Sequence, residues 1–207
     1  SGAGKSTLVD LILGLHRPSS GVVSIGGVAP DRLRETWPGA GSYVPQKPGM
    51  VSGTVAENIA LGEDLSAIDW IRLNRAVAQA GLEGMVELMP DGLMTSLGRQ
   101  SDSLSGGQLQ RLGIARALYT EPRLIVLDEA TSALDAETEA SISSAIQALR
   151  GDVTVISVAH RLSTIQHADT VFVVEEGQLS ASGSLSQVRR KVPLIQRYVE
   201  LLTISEQ

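Results

Sequence analysis

The start of the chain carries residue types that bind phosphate. Gly2 to Thr7 has the order Gly-Ala-Gly-Lys-Ser-Thr and matches the last part of the phosphate-loop pattern G-x-x-x-x-G-K-[ST]. Glycines let successive backbone N–H groups turn toward phosphate oxygens, and the helix that follows adds the positive end of its dipole. We therefore predict that a nucleotide is bound by Ser1, Gly2, Ala3, Gly4, Lys5, Ser6 and Thr7.

The polar side chains of this loop have expected partners. Lys5 would reach the β- and γ-phosphates, the Ser6 hydroxyl would bind Mg²⁺, and Thr7 would lie near the α-phosphate. Taken alone, the stretch could also be a glycine-rich turn before a helix with an exposed lysine.

A pair of carboxylates follows a run of apolar residues near the middle of the chain. Leu124 to Leu127 is apolar throughout, and Asp128 and Glu129 come directly after it. A magnesium-dependent ATPase needs such a pair beside its phosphate loop: Asp128 can hold the metal through water, and Glu129 can act as general base toward the attacking water. The alternative is a strand that ends in a polar turn.

A second glycine-rich helix start precedes the carboxylates. The sequence Leu104-Ser105-Gly106-Gly107-Gln108 places two adjacent glycines before a predicted helix. Backbone N–H groups at such a helix start form another site for an anion. Two anion-binding helix starts and an Asp-Glu pair in one chain indicate a nucleotide-hydrolysing protein.

These motifs resemble those of the ATP-binding cassette of ABC transporters, for which the LSGGQ signature at 104–108 is specific. The resemblance implies that the signature binds the γ-phosphate of an ATP held by a second cassette, in a head-to-tail homodimer or heterodimer. Gln46 is similar to the glutamine that touches Mg²⁺ and the attacking water, so the expected metal-binding residues are Ser6, Gln46 and Asp128. Ser132-Ala133-Leu134-Asp135 resembles the loop that crosses the dimer interface, and His160 resembles the histidine that contacts the γ-phosphate.

Each of the single residues also has a simpler interpretation. Gln46 could be a solvated loop residue, Asp135 could be a helix N-cap, and His160 could be a structural histidine at a strand end. The joint order of the motifs favours the catalytic roles, with Glu129, His160 and Gln46 as the catalytic set.

Two stretches, 51–59 and 159–165, are similar to those of exporter-type cassettes. The resemblance implies a six-helix transmembrane domain in the same polypeptide, coupling helices that dock on the region from Gln46 to Asn58, and a place on the cytoplasmic face of the plasma (inner) membrane. The chain departs from the exporter pattern at Gly49-Met50, where an aromatic residue is usual, and at Gly98-Arg99-Gln100, where a glutamate is common. A soluble ABC ATPase not coupled to transport, a non-catalytic cassette and an inert fragment are the alternatives.

The elements that must position these residues follow an α/β pattern. We predict strands over 22–25, 42–44, 124–127, 153–158 and 171–174, and helices over 5–15, 55–61, 68–80, 107–119, 136–149 and 193–202. The expected fold class is α/β, a P-loop NTPase (RecA-like) core with a mostly parallel sheet plus an inserted α-helical subdomain. The core would comprise residues 1–48 and 119–207, and the helical subdomain about 49–118, with no strand expected between Pro48 and Leu104.

Composition limits the function classes. Acidic residues outnumber basic ones, 23 to 17, for a net charge of −6, which argues against nucleic-acid binding. The chain has no cysteine, which excludes disulfides and thiol catalysis. No apolar run reaches the roughly 18 residues that span a bilayer, so we expect membrane contact only through a transmembrane domain.

The resemblance also implies an expectation about the start of the chain. Cassettes begin with strands and an aromatic residue that stacks on adenine, and the first 36 residues here contain no Phe, Trp or Tyr. We therefore expect a piece of a longer exporter half, truncated at the start of the phosphate loop. In this form the chain should bind ATP poorly.

Overall fold

The computed structural model describes residues 3–98, 104–129, 136–159, 162–192 and 196, and for 136, 137, 162 and 163 it describes the backbone only. Its helices are α1 (Lys5–Ile12), α2 (Pro30–Thr36), α3 (Val55–Ile59), α4 (Trp70–Gln79), α5 (Glu83–Glu87), α6 (Gly106–Tyr119), α7 (Ala136–Ala148), α8 (Leu162–Gln166) and α9 (Leu185–Lys191), with a 3-10 helix at Gly92–Met94. Its strands are β1 (Gly41–Val44), β2 (Gly53–Thr54), β3 (Ser96–Leu97), β4 (Leu124–Asp128), β5 (Thr154–Val158), β6 (Val171–Glu175) and β7 (Gln178–Gly183).

The chain divides into two compact units, Trp37–Ser157 and the pair of segments Ser1–Thr36 and Val158–Gln207. In the first unit, β1, β4 and β5 form a sheet in that order, and β1 runs parallel to β4 with Tyr43 opposite Val126 and Val44 opposite Leu127. The continuous apolar run of β4 is buried, as is typical of a central parallel strand.

Helix α6 supplies much of the core of this unit. Its residues after the first turn are mostly buried, and they pack with those of α3, α4, β1 and β4 in one apolar cluster. The same helix carries the predicted signature at its start, so burial of its later turns fixes the direction in which that start points.

The second unit has a smaller apolar cluster. β6 and β7 form an antiparallel hairpin, and Val173 and Ala181 on one of its faces pack with Val188 of α9. Of the residues of α1, only Val9 is buried.

The stretch Val22 to Ile25 does not form the predicted strand. Among the described residues, no strand lies beside this stretch: Val22 is 88% exposed, and Ile25 makes an isolated bridge to Val28. Helix α1 ends at Ile12 rather than at Leu15 because the chain turns at Gly14, where φ is 68°. Within 49–104, which we predicted to lack strands, β2 and β3 form a short antiparallel pair.

The other predicted strands and helices are present, and their boundaries differ from the predicted ones by two residues at most. The helix predicted over 193–202 lies outside the described residues apart from residue 196. Across the described ranges, the helices are too short or too polar for any of them to cross a bilayer.

Candidate active site

The start of α1 has the backbone expected of a phosphate loop. Gly4, its N-cap, has a left-handed backbone (φ 90°, ψ 7°) and makes no side-chain cap, while its carbonyl accepts the Leu8 N–H at 3.0 Å. The Ala3 carbonyl accepts the Gly177 N–H at 3.1 Å, which ties the loop to the hairpin of the same unit. Lys5 is half-buried, and Ser6 and Thr7 are exposed at the helix start. Ser1 and Gly2 lie outside the described residues.

The carboxylates at the end of β4 have partners from the end of β1. The Tyr43 hydroxyl donates to Asp128 Oδ2 at 3.0 Å, and Gln46 Nε2 donates to Glu129 Oε2 at 3.0 Å. These contacts follow from the parallel pairing, which brings the carboxyl ends of both strands to one edge of the sheet. The structure thus brings together Gln46, Asp128 and Glu129, three residues that the sequence analysis assigned to one site.

Glu129 has an unusual backbone. Its φ is 50°, in the left-handed region where a residue with a Cβ loses about 1 kcal/mol or more. Strained non-glycine residues cluster at functional sites, where the surrounding structure holds them. The turn ends β4 and takes the Glu129 side chain out of the strand's alternation, to the position where it meets Gln46.

The predicted signature forms a closed cap at the start of α6. Ser105 is the N-cap: its hydroxyl accepts the Gln108 N–H at 3.2 Å, and its own N–H donates to Gln108 Oε1 at 2.8 Å. This capping box holds the first turn in place, and Ser105 and Gly106 remain exposed. Leu104 is buried and anchors the approach to the helix.

Two glycines of α6 are required by close neighbours. A Cβ at Gly107 would lie 2.5 Å from the Thr138 methyl group of α7, whereas one at Gly106 would meet open space. A Cβ at Gly113 would lie 2.6 Å from Pro48 Cγ. The segment after Gln46 therefore packs directly against the backbone of the signature helix.

Polar contacts strengthen that packing. Arg116 of α6 donates from Nε to the Asn58 carbonyl at 2.8 Å and from its guanidinium to the Gly49 carbonyl at 3.0 Å. The buried Asn58 side chain in turn bonds both the N–H and the carbonyl of Val51. Burial lowers the pKa of the Arg116 guanidinium, which still leaves it charged at neutral pH. These contacts link α6 to the segment that follows Gln46.

The remaining predicted residues are not placed in this cluster. Lys5, Ser6 and Thr7 belong to the second unit and Leu104 to Gln108 to the first. Asp135 and His160 lie outside the described residues.

The oxygen atoms at this sheet edge suit Mg²⁺, which does not need a full set of protein ligands. Asp128 and Gln46 offer hard oxygen ligands. In the part of the chain that the structure describes, no three Asp, Glu or His side chains group to hold a metal. Mg²⁺ commonly uses one or two carboxylates and completes its shell with water and substrate phosphates. The residues present therefore fit Mg²⁺ bound together with a nucleotide.

Three residues at or near this site, Tyr43, Asn58 and Arg116, belong to none of the motifs identified in the sequence. Tyr43 and Arg116 make hydrogen bonds to residues that are distant in the sequence, so no local pattern identifies them. The capping box was readable, because Ser105 and Gln108 have the S-x-x-Q spacing of that motif.

The fold and this sheet edge define a P-loop nucleotide-binding protein of the α/β class, and the family comparisons specify it further. The family model described as "ABC transporter" matches residues 1–132, and the chain belongs to that family. Within the family, it corresponds to the ATP-binding domain.

Similar proteins include exporters from bacteria. The chain is 37% identical over its whole length to a multidrug resistance ABC transporter ATP-binding and permease protein of Lactococcus lactis, of which it covers 35%. It is 42% identical to an ATP-dependent lipid A-core flippase of Ralstonia nicotianae, with 89% of the chain and 31% of that protein covered.

A solved structure has the same fold. A bacterial Atm1-family ABC exporter with ATP bound matches with a TM-score of 0.82 at 37% identity, over 96% of this chain and 35% of the other. The chain thus spans about a third of the length of the relatives it matches. The predicted α/β fold and the predicted family are both confirmed.

Proposed function

We propose that this chain is the ATP-hydrolysing motor domain of an exporter and that it works with Mg²⁺. The observation that carries the proposal is the sheet edge at which Gln46, Asp128 and Glu129 meet. The exporters among its relatives support the link to transport.

In the proposed reaction, Glu129 accepts the proton of the attacking water, and Gln46 and His160 position that water and the γ-phosphate. Lys5 and the N–H groups of Ser1 to Thr7 hold the phosphates, with Ser6, Gln46 and Asp128 on the metal side. Bound Mg²⁺ would supply charge neutralisation on the phosphate oxygens.

The partner assignments rest on the same family. Leu104 to Gln108 and Asp135 would contact ATP held by a second cassette, and the exposed Ser105 and Gly106 suit such a contact. A transmembrane domain in the same polypeptide would place the cassette at the cytoplasmic face of the plasma (inner) membrane. Residues 49–118, in which helices α3 to α6 share one apolar cluster, would form the helical subdomain.

The test is Glu129→Gln in the full-length protein. The amide keeps the size of the side chain but cannot accept a proton, so hydrolysis should fall by at least about 100-fold. ATP affinity should be unchanged because the phosphate contacts remain, and unhydrolysed ATP should stay bound, which chromatography of the nucleotide released from the protein detects.

A matched control is Glu121→Gln. Glu121 has the same left-handed backbone (φ 51°), but it pairs with Arg75 on the surface of the first unit. This variant should hydrolyse ATP at the wild-type rate, since exposed ion pairs contribute little. Normal turnover by Glu129→Gln would remove Glu129 from its proposed role.

A further inference from the structure

Tyr43 has the position of a site residue although no motif includes it. The alternating burial of β1 places Ser42 and Val44 on the face toward α6, where the Ser42 hydroxyl bonds the Ala117 carbonyl at 3.2 Å. Tyr43 therefore lies on the opposite face of the sheet, and it is 43% exposed. Its ring is not needed to fill the core.

The strand register explains why Tyr43 reaches Asp128. Tyr43 is paired with Val126, and paired residues of parallel strands share a face of the sheet, as do residues two apart. Asp128 is therefore the next side chain along on Tyr43's own face, a diagonal neighbour within reach of a long side chain. The phenol spans that distance and donates to Oδ2 at 3.0 Å.

The Tyr43 hydroxyl is a suitable donor for orienting the Asp128 carboxylate. A phenol O–H that donates to a carboxylate fixes its rotamer, and it occupies one oxygen while Oδ1 stays available to the metal or to its water. A lysine or arginine in this place would add positive charge beside the cation, whereas the neutral phenol does not. Partners that orient a metal-binding carboxylate in this way set metal affinity.

We propose that Tyr43 is a positioning residue for metal binding: through Oδ2 it holds Asp128 in the conformation that binds Mg²⁺. The inference rests on the proposed magnesium site at Asp128. It assigns to Tyr43 a role in metal affinity and none in nucleotide affinity.

A second phenol–carboxylate pair in the same unit provides the control. The Tyr119 hydroxyl donates to Glu63 Oε2 at 2.6 Å, but Tyr119 is only 4% exposed and packs in the core. Burial and the neighbouring Glu63 carboxylate raise the pKa of Tyr119. Removal of either tyrosine hydroxyl breaks a phenol–carboxylate hydrogen bond. For Tyr43 that bond lies at the proposed metal site, and for Tyr119 it lies in the core.

The experiment measures metal binding without turnover. Mn²⁺ is titrated into full-length protein loaded with a non-hydrolysable ATP analogue, and bound metal is followed by electron paramagnetic resonance. Tyr43→Phe should raise the Mn²⁺ concentration for half-saturation by about 10-fold, the lower end of the range for loss of an orienting partner. Nucleotide affinity in EDTA should match wild type, which also shows that the variant is folded.

A double-mutant cycle tests whether Tyr43 acts through Asp128. Asp128→Asn should raise the half-saturation concentration by itself, and Tyr43→Phe should add nothing in that background. Tyr119→Phe should lower thermal stability and leave the metal titration unchanged.

The outcomes separate the two proposals. If Asp128→Asn leaves metal binding unchanged, the proposed magnesium site is wrong, and the role of Tyr43 falls with it. If Asp128→Asn weakens metal binding but Tyr43→Phe does not, or if Tyr43→Phe acts equally without Asp128, only the role of Tyr43 is overturned.

Discussion

The two glycine-rich helix starts of this molecule are built differently. At α1, the N-cap is Gly4 with a left-handed backbone, and no side chain caps the helix. At α6, the N-cap is Ser105 with an extended backbone (φ −66°, ψ 160°), and a reciprocal pair of hydrogen bonds with Gln108 closes it. We call the uncapped start of α1 the open start and the capped start of α6 the closed start. Because free N–H groups at a helix start attract anions, the open start suits an anionic ligand bound by the loop of the same chain. The closed start has a fixed conformation before any ligand binds, which suits contact with a ligand held by a partner.

The support behind the two starts differs as well. α6 is buried along most of its length and is fixed by Thr138, Pro48 and the contacts of Arg116. α1 buries only Val9 among its residues. The signature start is therefore held by packing, whereas the phosphate-loop start is held by the conformation of its own glycine and by the bond from Gly177 to the Ala3 carbonyl.

The largest expected effect concerns the surface of the closed start. Ser105→Arg places a bulky side chain where the ATP of a second cassette would dock in the proposed dimer, so ATP-driven dimerisation should weaken by about 100-fold or more, which corresponds to roughly 2.7 kcal/mol. ATP affinity of the monomer should stay at the wild-type value. Analytical ultracentrifugation and nucleotide titration measure the two quantities separately.

Ser184→Arg is the matched control for this change. Ser184 caps α9 with the same reciprocal box, made with Gln187. Both substitutions remove a cap that contributes about 1 kcal/mol, but only the one at Ser105 should affect the dimer. Equal losses of dimerisation in both variants, or an equal loss of monomer affinity and dimerisation in Ser105→Arg, would contradict a site shared between cassettes.

A smaller effect, on stability, is expected when Gly107 is replaced, because its neighbours leave no room for a Cβ. Gly107→Ala places its Cβ against the Thr138 methyl group at 2.5 Å, and overpacking of this kind costs about 1–3 kcal/mol. Gly106→Ala meets open space and should be neutral or stabilising by about 0.5–1 kcal/mol, as alanine is the better helix residue. Chemical denaturation gives both values.

Thr138→Ser deletes the methyl group that Gly107→Ala would meet. The double variant Gly107→Ala/Thr138→Ser should therefore recover most of the lost stability. If Gly106→Ala proves as destabilising as Gly107→Ala, or if Thr138→Ser gives no recovery, packing against α7 is not what fixes the closed start.

The sequence predicted those features that depend on neighbours along the chain. The buried strand at Leu124 to Leu127 was predictable because a short, continuous apolar run is typical of a central parallel strand. The Gly14 turn that ends α1 was also readable, although the predicted helix ran past it. Val22 to Ile25 has the residue types of a strand but no strand beside it, and strand propensity depends on that context.

Contacts between distant segments could not be predicted in the same way. Tyr43 meets Asp128 from 85 positions away, through the register of two strands that nothing local specifies. Arg116 contacts Gly49 across 67 positions, through the packing of α6 on the segment after Gln46. The motifs thus marked the candidate chemical groups, and the fold revealed the side chains that contact them.

The smallest expected effect concerns the open start. Gly4→Ala introduces no clash, since its Cβ would lie 3.5 Å from Gly177 Cα, but it forces a residue with a Cβ into φ 90°. The expected cost is about 1–2 kcal/mol of stability, and Gly4→Asn should cost less because asparagine adopts left-handed conformations more readily. Both variants should also weaken ATP binding in the full-length protein, alanine more than asparagine, because the loop N–H groups depend on this conformation.

Gly21 is the control, with φ 77° in the same unit and open space around it. Gly21→Ala should lower the denaturation midpoint by a similar amount and leave ATP affinity unchanged. If alanine at Gly4 and at Gly21 had the same effect on ATP affinity, or if Gly4→Ala had none, the left-handed N-cap would not be what prepares α1 for phosphate.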